Sequence, residues 1–449
     1  MRGLQGSAAL VTLGALSAAL YASSGPLAAR LSLEPLALHV GVAGLLFATY
    51  LAGLWLVMRR VVSTPQTLAV ILGFAALFRL LVLPTPVYLS SDLYRYLWDG
   101  RVQLAGVNPY RYPPEAPRLA PLRDAEVHPR INRPGAVTVY PPGAQWVFAL
   151  AAMATPGTVL GWRLLLLAVE VGTVGLLLQL VRRMGAPPTA ILAYAWSPLV
   201  VLEGIQAGHV DLLVIPIVLL ALAWRLEGSS LRAGVALGAA ALLKLYPLIL
   251  VLAWWRRGEW RFPAAMAATV ALGYLPYVAT LGLSALGFLP TYVSDSYEDF
   301  NIGLRAVVTW GIGLGGEVPR AVAMMVLAVL LSGVLVWIAR HRPDGPAAHW
   351  RATQLAIGAY LLLIPTAMHP WYVLWVVPFL CVAPPAGWVY FSGAVALSYV
   401  AYLVEPAPLP WWAWLGQYGP LYAFLLASGY RTLAGPLPGV FALRATGAS

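Results

Sequence analysis

Charged side chains are scarce in this chain of 449 residues, since Asp, Glu, Lys and Arg make up 10% of it and hydrophobic residues 60%. A soluble domain carries about 25% charged residues, so the composition excludes an ordinary soluble fold. Apolar runs recur along the whole chain, and segments such as 36–58 and 159–181 reach the roughly 20 residues that a helix needs to cross a bilayer. The sequence therefore predicts a polytopic membrane protein.

Cysteine and lysine are almost absent. Cys381 is the one cysteine, so no intramolecular disulfide can form, and Lys244 is the one lysine. The net charge of +11 therefore comes from arginine. These arginines lie mostly in short loops between apolar runs, as the positive-inside bias predicts, so the charge does not indicate nucleic-acid binding. Arginine preference with abundant Ala, Gly and Pro is typical of a GC-rich prokaryote, and we expect a bacterial cytoplasmic membrane.

We predict an all-α, polytopic transmembrane helical bundle of about 12 spans. Residues 145–154 are too short to span and indicate an interfacial or half-inserted helix. Residues 232–255 have arginines near both ends, which favours a re-entrant hairpin over a full crossing. The first apolar run could imitate a signal peptide, but the many later runs favour an uncleaved first helix. The predicted spans are residues 8–24, 36–58, 66–84, 162–181, 189–203, 209–225, 262–284, 320–340, 351–367, 371–386, 388–405 and 412–432.

Orientation follows from the short arginine-containing loops, which we expect on the cytoplasmic side. On that map four polar segments share the outer face: 85–143, 203–211, 294–305 and 367–375. Because these segments come from distant parts of the chain, their convergence on one side predicts a composite site.

The first outer segment supplies two of the chain's seven aspartates. If a helix begins at Asp92, then Asp92, Tyr96 and Asp99 share one face with Arg95 beside them, and Ser91 can cap the helix. A carboxylate near the membrane surface can accept the proton of an attacking hydroxyl. A solvated Asp–Arg pair is the alternative reading.

The remainder of this segment is rich in Pro, Tyr and Arg. Its aromatic rings suit either the bilayer interface or stacking against sugars. Its outer-side arginines indicate an anionic ligand such as a phosphate, although long loops also escape the positive-inside bias. These arginines are Arg101, Arg111, Arg130 and Arg133.

Ionisable residues recur near later spans. His209 and Asp211, close after Glu203, indicate either half of a metal site or, as the default, a hydrogen-bond network at a helix end. Lys244 has apolar neighbours on both sides, so it needs a partner, for which we expect Glu170 or a lipid phosphate.

Two further side chains suit an anionic leaving group. His369 precedes an aromatic cluster and could donate to such a group. Arg305, in the outer segment around 294–305, is a candidate for the same role.

Several motifs, in this order, resemble those of the integral-membrane GT-C glycosyltransferases. They are SSDLYRYLWDGRV, GVNPYRY, TVYPP, GHVDLL, LKLYPLIL and HPWYVLW. The nearest group is glycosyltransferase family 87 with the bacterial polyprenyl-phosphate-mannose-dependent α-mannosyltransferases, and the resemblance covers roughly residues 85–380. It implies an inverting transfer of a hexose, mannose above all, from a polyprenyl-phosphate donor to an extracytoplasmic glycan or glycolipid acceptor.

The resemblance also assigns roles. Asp92 matches the general base, and His369 matches a histidine near the donor phosphate. Arg95, Asp99, Arg101 and Lys244 carry weaker correspondences. The full set of residues that we expect to bind donor phosphate or substrate is Arg95, Asp99, Arg101, Tyr140, His209, Asp211, Lys244, Arg305, His369 and Trp371. No cofactor is required, and a divalent metal is optional and not favoured.

One departure from the family is that the acid follows the third predicted span rather than the first. Two added N-terminal spans explain this, so we expect residues 1–60 outside the resemblance, a catalytic module at 61–380 and C-terminal spans at 381–449. The competing hypothesis is a lipid-linked sugar flippase or secondary transporter, which also uses broken helices. The sequence shows no evident internal repeat of the kind that many transporters have.

Overall fold

The structure is a computed structural model. It describes residues 2–31, 34–155, 157–294, 299–312, 320–403 and 409–429. It is 76% helical, without a strand in these ranges, which confirms the all-α class. Residues 295–298 of the predicted acidic segment and 430–432 of the last predicted span lie outside the described residues.

Seventeen α-helices are present in the described ranges, joined in places by short 3-10 helices. They are α1 Arg2–Leu31, α2 Pro35–Arg59, α3 Pro65–Val82, α4 Asp92–Leu104, α5 Pro142–Ala154, α6 Val159–Arg183, α7 Leu192–Ala195, α8 Asp211–Leu226, α9 Ser230–Ala241, α10 Leu250–Trp254, α11 Arg261–Leu281, α12 Leu289–Ser294, α13 Leu304–Ile312, α14 Arg320–His341, α15 Pro346–Leu363, α16 Ala386–Ala394 and α17 Trp411–Gly429.

Seven helices in the described ranges are long and apolar enough to cross a membrane. An eighth span results if Pro188–Ala195 and Val200–Gln206, bent by 62° at their break, count as one. The polytopic fold is therefore confirmed, but the number of 12 spans is not. The predicted span 371–386, for example, contains the 3-10 helices Pro370–Trp375 and Val377–Cys381 rather than one continuous α-helix.

The chain divides into two compact units. The first consists of Met1–Thr85, Val174–Leu202 and Val376–Ser449, and the second of Pro86–Thr173 and Glu203–Trp375. All the predicted site residues belong to the second unit. The sequence-based division at residues 60 and 380 stays a prediction.

Buried side chains in the first unit bind the backbone around α7. Tyr50 in α2 donates its hydroxyl to the carbonyl oxygen of Ala193 at 2.9 Å. Arg79 in α3 donates to the carbonyl oxygen of Ala195 at 2.8 Å. Burial of these donors would be costly without such acceptors, so the bonds join α2 and α3 to α7.

The second unit packs α4 closely against α5. A Cβ atom on Gly100 would lie 2.3 Å from the carbonyl oxygen of Phe148, so the two backbones touch where a side chain is absent. Gln145, at the start of α5, donates to Asp99 Oδ2 at 3.0 Å and to Thr138 Oγ1 at 2.8 Å. The predicted short helix at 145–154 is present as α5, and its place at the membrane interface stays a prediction.

The segment predicted to be re-entrant leaves and returns at one end of α8. Arg225, in the last turn of α8, lies 3.4 Å from the Ser230 hydroxyl through Nη1 and donates to the Trp254 carbonyl oxygen at 2.7 Å through Nη2. Ser230 starts α9 and Trp254 ends α10, so both ends of the segment meet one guanidinium. Between them the chain breaks near Lys244, which lies 3.4 Å from Asp211 at the opposite end of α8. This path has the predicted hairpin shape.

Candidate active site

Asp92 begins α4, and its side chain is 14% exposed. Its Oδ1 accepts a hydrogen bond from Asn132 Nδ2 at 2.6 Å. The predicted cap by Ser91 is wrong: its side chain makes no capping bond, and the Asp92 N–H donates instead to the Ser90 hydroxyl at 3.3 Å. The loop that follows α4 thus orients the Asp92 carboxylate, and part of its side chain remains exposed.

His209 lies between two carboxylates. Its Nδ1 is 3.9 Å from Asp92 Oδ2, and its Nε2 is 3.4 Å from Glu203 Oε2. The imidazole is fully buried, and Glu203 is 2% exposed. Neither ring nitrogen makes a hydrogen bond within the described residues, so the imidazole separates the two carboxyl groups rather than linking them by hydrogen bonds.

Gly208 sets the path of the chain into His209. Its φ angle is +76°, a left-handed conformation that L side chains rarely adopt. Its carbonyl oxygen accepts a hydrogen bond from Trp162 Nε1 at 2.7 Å. A Cβ atom here would lie 2.5 Å from Leu93 Cδ1, next to Asp92 in α4.

Gly208→Ala should therefore destabilise the chain and displace Asp92 and His209 together. The left-handed conformation alone costs a residue with a Cβ atom about 1–2 kcal/mol, and the overlap with Leu93 adds to it. A lower midpoint of thermal unfolding would show the loss of stability. Gly172→Ala in α6 is the matched control, because a Cβ atom there meets nothing within 4 Å; an equal effect of both changes would contradict the argument.

Four rings form a continuous stack beside the carboxylates. The ring centroids of His209 and Trp371 are 4.0 Å apart, those of Trp371 and His369 4.3 Å, and those of His369 and Phe300 5.3 Å. The interplanar angles are 17°, 2° and 22°. Residues far apart in sequence thus order one another, and Trp371 is the contact between the two histidines.

Burial lowers the pKa of His369 to about 3, and the charges of Lys244 and Arg133 lower it further. Part of the residue is exposed, but both ring faces are covered by Phe300 and Trp371. His369 is therefore neutral at pH 7, so it can donate a hydrogen bond but carries no positive charge.

This low pKa links stability to pH. Between an unfolded pKa of about 6.5 and the folded value of about 3, the unfolded chain binds a proton that the folded chain does not, so stability falls as pH falls through this window. We expect His369→Gln to reduce the loss of thermal stability between pH 7 and pH 4. Replacing the exposed His341 by Gln serves as control; equal pH dependence in His369→Gln and wild type would contradict the prediction.

Lys244 is held by a carboxylate and two aromatic faces. Its Nζ lies 3.4 Å from Asp211 Oδ2, 5.7 Å from the ring centroid of Tyr140 and 5.2 Å from that of Tyr372. The other Asp211 oxygen accepts from Trp375 Nε1 at 2.7 Å. The predicted partners of Lys244 were Glu170 and a lipid phosphate, but the protein partner is Asp211, which the hairpin brings to Lys244.

His209 and Asp211 are two residues apart at the start of α8. His209 approaches Asp92 and Asp211 pairs with Lys244, so one short stretch of chain connects the two sets of contacts. The structure thus brings together Asp92, Tyr140, His209, Asp211, Lys244, His369 and Trp371.

Four other predicted residues bind within the protein. Asp99 is 2% exposed and accepts from Arg95 Nε at 2.8 Å, while Arg95 also donates to the Ala136 carbonyl oxygen. Arg101 pairs with Asp124 at 2.5 Å. The fourth, Arg305, has Nη2 2.7 Å from Asp299 Oδ1 and 3.0 Å from the Thr366 carbonyl oxygen. The contacts of these four residues hold loops in place, and their predicted role in substrate binding stays a prediction.

Some contributors were not predicted. Asn132, which holds Asp92, stands in an irregular proline-rich loop where no periodicity marks it. Tyr372 and Trp375 belong to the aromatic motif, but only Trp371 was predicted to belong to the site. A buried indole needs a hydrogen-bond acceptor, so the sequence indicates that Trp375 has a partner but does not identify Asp211 as that partner. Within the described ranges, no group of three or more His, Cys, Asp or Glu side chains could hold a metal ion; independence from metals and cofactors stays a prediction.

Comparison with known proteins places this architecture in a family. No curated protein and no solved structure matches the chain. A family model, described as glycosyltransferase family 87, matches residues 138–366. The match includes most of the site but ends before His369 and begins after Asp92. Because it covers slightly more than half of the chain, and agrees with the resemblance of the ordered motifs, the chain belongs to glycosyltransferase family 87.

Proposed function

We propose that this glycosyltransferase moves a hexose, with mannose as the first candidate, from a polyprenyl-phosphate donor to a glycan or glycolipid acceptor. The transfer inverts the anomeric carbon and takes place on the extracytoplasmic side of a bacterial cytoplasmic membrane. The observation that carries the proposal is the partly exposed Asp92 carboxylate, held by Asn132 and close to His209, in a site that also contains the Lys244 ammonium.

Asp92 is the general base in this proposal. It accepts the proton of the acceptor hydroxyl while the acceptor oxygen forms a bond to the anomeric carbon. The bond from that carbon to the phosphate oxygen breaks, and polyprenyl phosphate leaves with the electron pair. Attack opposite the leaving group inverts the configuration. Since the donor is already activated, the protein's main tasks are to take up this proton and stabilise the departing phosphate.

Lys244 and His369 serve the leaving group. The side chain of Lys244 is 16% exposed, and its ammonium is the group best suited to the charge that develops on the phosphate. His369 is neutral, so it contributes an N–H donor rather than a charge. The ring stack that contains Trp371 and the rings of Tyr140 and Tyr372 exclude water from around Lys244 and His369. Electrostatic interactions of these two residues with the phosphate are stronger where water is excluded.

His209 is a positioning residue for Asp92 in this scheme. We expect His209→Gln to lower kcat with little change in KM, because the change loosens the base without removing a substrate contact. Steady-state kinetics with varied acceptor would measure both constants. A rise in KM at unchanged kcat would instead make His209 a substrate-binding residue.

The donor class is tested with the purified full chain in detergent. Polyprenyl-phosphate mannose, polyprenyl-phosphate glucose and a nucleotide-linked mannose are each supplied with a panel of mannoside acceptors. Transfer from a polyprenyl-phosphate donor alone supports the proposal. Transfer from the nucleotide sugar contradicts the donor, and movement of intact lipid-linked sugar across liposomes without transfer favours a flippase.

A further inference from the structure

A second group of polar side chains lies at the far end of α8 from the candidate active site. Arg225 follows Asp211 by 14 residues in this helix, which places the two about 21 Å apart. Arg225 Nη2 donates to the Trp254 carbonyl oxygen at 2.7 Å, and Trp254 Nε1 donates to Thr353 Oγ1 at 2.9 Å. Thr353 lies one turn after His349 in α15 and donates to its carbonyl oxygen at 2.7 Å. The ends of α8, α10 and α15 therefore meet here.

Three guanidinium nitrogen atoms in this group are buried and have no hydrogen-bond partner within the described part of the chain. They are Nε of Arg225 and both Nε and Nη1 of Arg342. His349 Nε2 is buried and unpartnered as well, but His349 Nδ1 carries its hydrogen toward the Gly345 carbonyl oxygen at 3.0 Å, so Nε2 is an acceptor and cannot bind an anion. Native proteins leave few buried polar atoms without a partner, so the three N–H donors indicate a ligand that accepts hydrogen bonds.

The electrostatics identify the sign of that ligand. The charges that act on Arg342 are those of Arg256, Arg225, Asp344 and Glu259. Glu259 is already bound by Arg225 and by the Ser230 hydroxyl. The net charge of this group is therefore positive. A negatively charged ligand that accepts hydrogen bonds from arginine complements this charge.

The surroundings point to the membrane as the source of this ligand. Arg256 is exposed, and the exposed tryptophans Trp255 and Trp260 lie on either side of it at 44% and 69% exposure. Exposed tryptophans favour the boundary between bilayer and water. Basic pockets between membrane helices at that level bind anionic lipid headgroups.

We propose that Arg225, Arg256 and Arg342 form a binding site for the phosphate headgroup of an anionic phospholipid. The phosphate oxygens accept the unsatisfied N–H groups of Arg342, and Arg256 closes the site from its exposed position. Arg225 stays paired with Glu259 and presents its Nε–H. The site is separate from the candidate active site and does not depend on the proposed reaction.

The test uses the purified full chain, stripped of lipid in a neutral detergent and titrated with phosphatidylglycerol. Native mass spectrometry measures the fraction of chains that carry a lipid. The variants are Arg342→Gln, Arg256→Gln and, as matched control, Arg232→Gln, which replaces an exposed arginine at the start of α9. Arg256→Gln keeps the test valid if Arg342→Gln does not fold, because Arg256 is exposed.

We expect one phosphatidylglycerol to bind to wild type and to Arg232→Gln, and each of the other two changes to weaken binding about fivefold, as expected for one cation near a headgroup. Unchanged binding in Arg342→Gln and Arg256→Gln, or equal binding of zwitterionic phosphatidylcholine, would overturn the site. Competition by inorganic phosphate at equal concentration would overturn the lipid as the source, leaving a site for free phosphate.

Discussion

Asp92→Asn is expected to lower the rate of sugar transfer by about 10²–10⁴-fold, the range that a positioned general base contributes. Asparagine has nearly the same size and can still accept the hydrogen bond from Asn132, but it cannot take the proton of an attacking hydroxyl. The expected loss is therefore in kcat and not in folding. Initial rates with a labelled polyprenyl-phosphate hexose, alongside the midpoint of thermal unfolding, measure the two separately.

Asp99→Asn is the matched control in the same helix. Asp99 is buried and bound by Arg95 and Gln145, so its replacement leaves Arg95 without its carboxylate and should lower stability. The contrast between a folded, inactive Asp92 variant and a destabilised Asp99 variant separates chemistry from support. A folded Asp92→Asn protein with half of the wild-type rate would remove Asp92 from the role of base.

Lys244→Met should have the second largest effect, because it removes the ammonium that we propose faces the leaving phosphate. Loss of one preorganised donor to a developing charge costs about 10²–10³ in kcat. It also leaves Asp211, which is fully buried, without its counter-charge, and breaking a buried pair in this way costs about 3–5 kcal/mol.

The double change Lys244→Met with Asp211→Asn separates these two consequences. Asparagine at 211 can still accept the Trp375 hydrogen bond but carries no charge, so stability should recover while transfer stays slow. Recovery of transfer along with stability would mean that Lys244 acts only as a structural partner of Asp211.

The helices were the more predictable part of this molecule. Apolar runs and their polar breaks marked α2, α3 and α6, and arginines at both ends of 232–255 indicated a hairpin path, whose re-entrance into a membrane stays a prediction. The span count was less predictable, because hydropathy does not separate a continuous helix from the 3-10 turns at 370–381.

The site was predictable in its residue types and less so in its partners. Asp92, His209, Lys244 and His369 stood out because polar groups are rare here and costly at membrane depth. Their contacts depend on long-range packing, which no local pattern encodes. Lys244 finds Asp211 only because the hairpin brings it to the start of α8. The same limit explains Arg101, whose partner Asp124 lies 23 residues further along a loop.

The most direct measurement of the central claim is the anomeric configuration of the product formed by the purified chain. Polyprenyl-phosphate mannose of known configuration is incubated with a mannoside acceptor, and the new linkage is read by nuclear magnetic resonance from its anomeric coupling constants. A single direct displacement assisted by Asp92 predicts a linkage of the opposite configuration, formed by wild type and about 10²–10⁴-fold more slowly by Asp92→Asn. A product that retains the donor configuration would contradict this account.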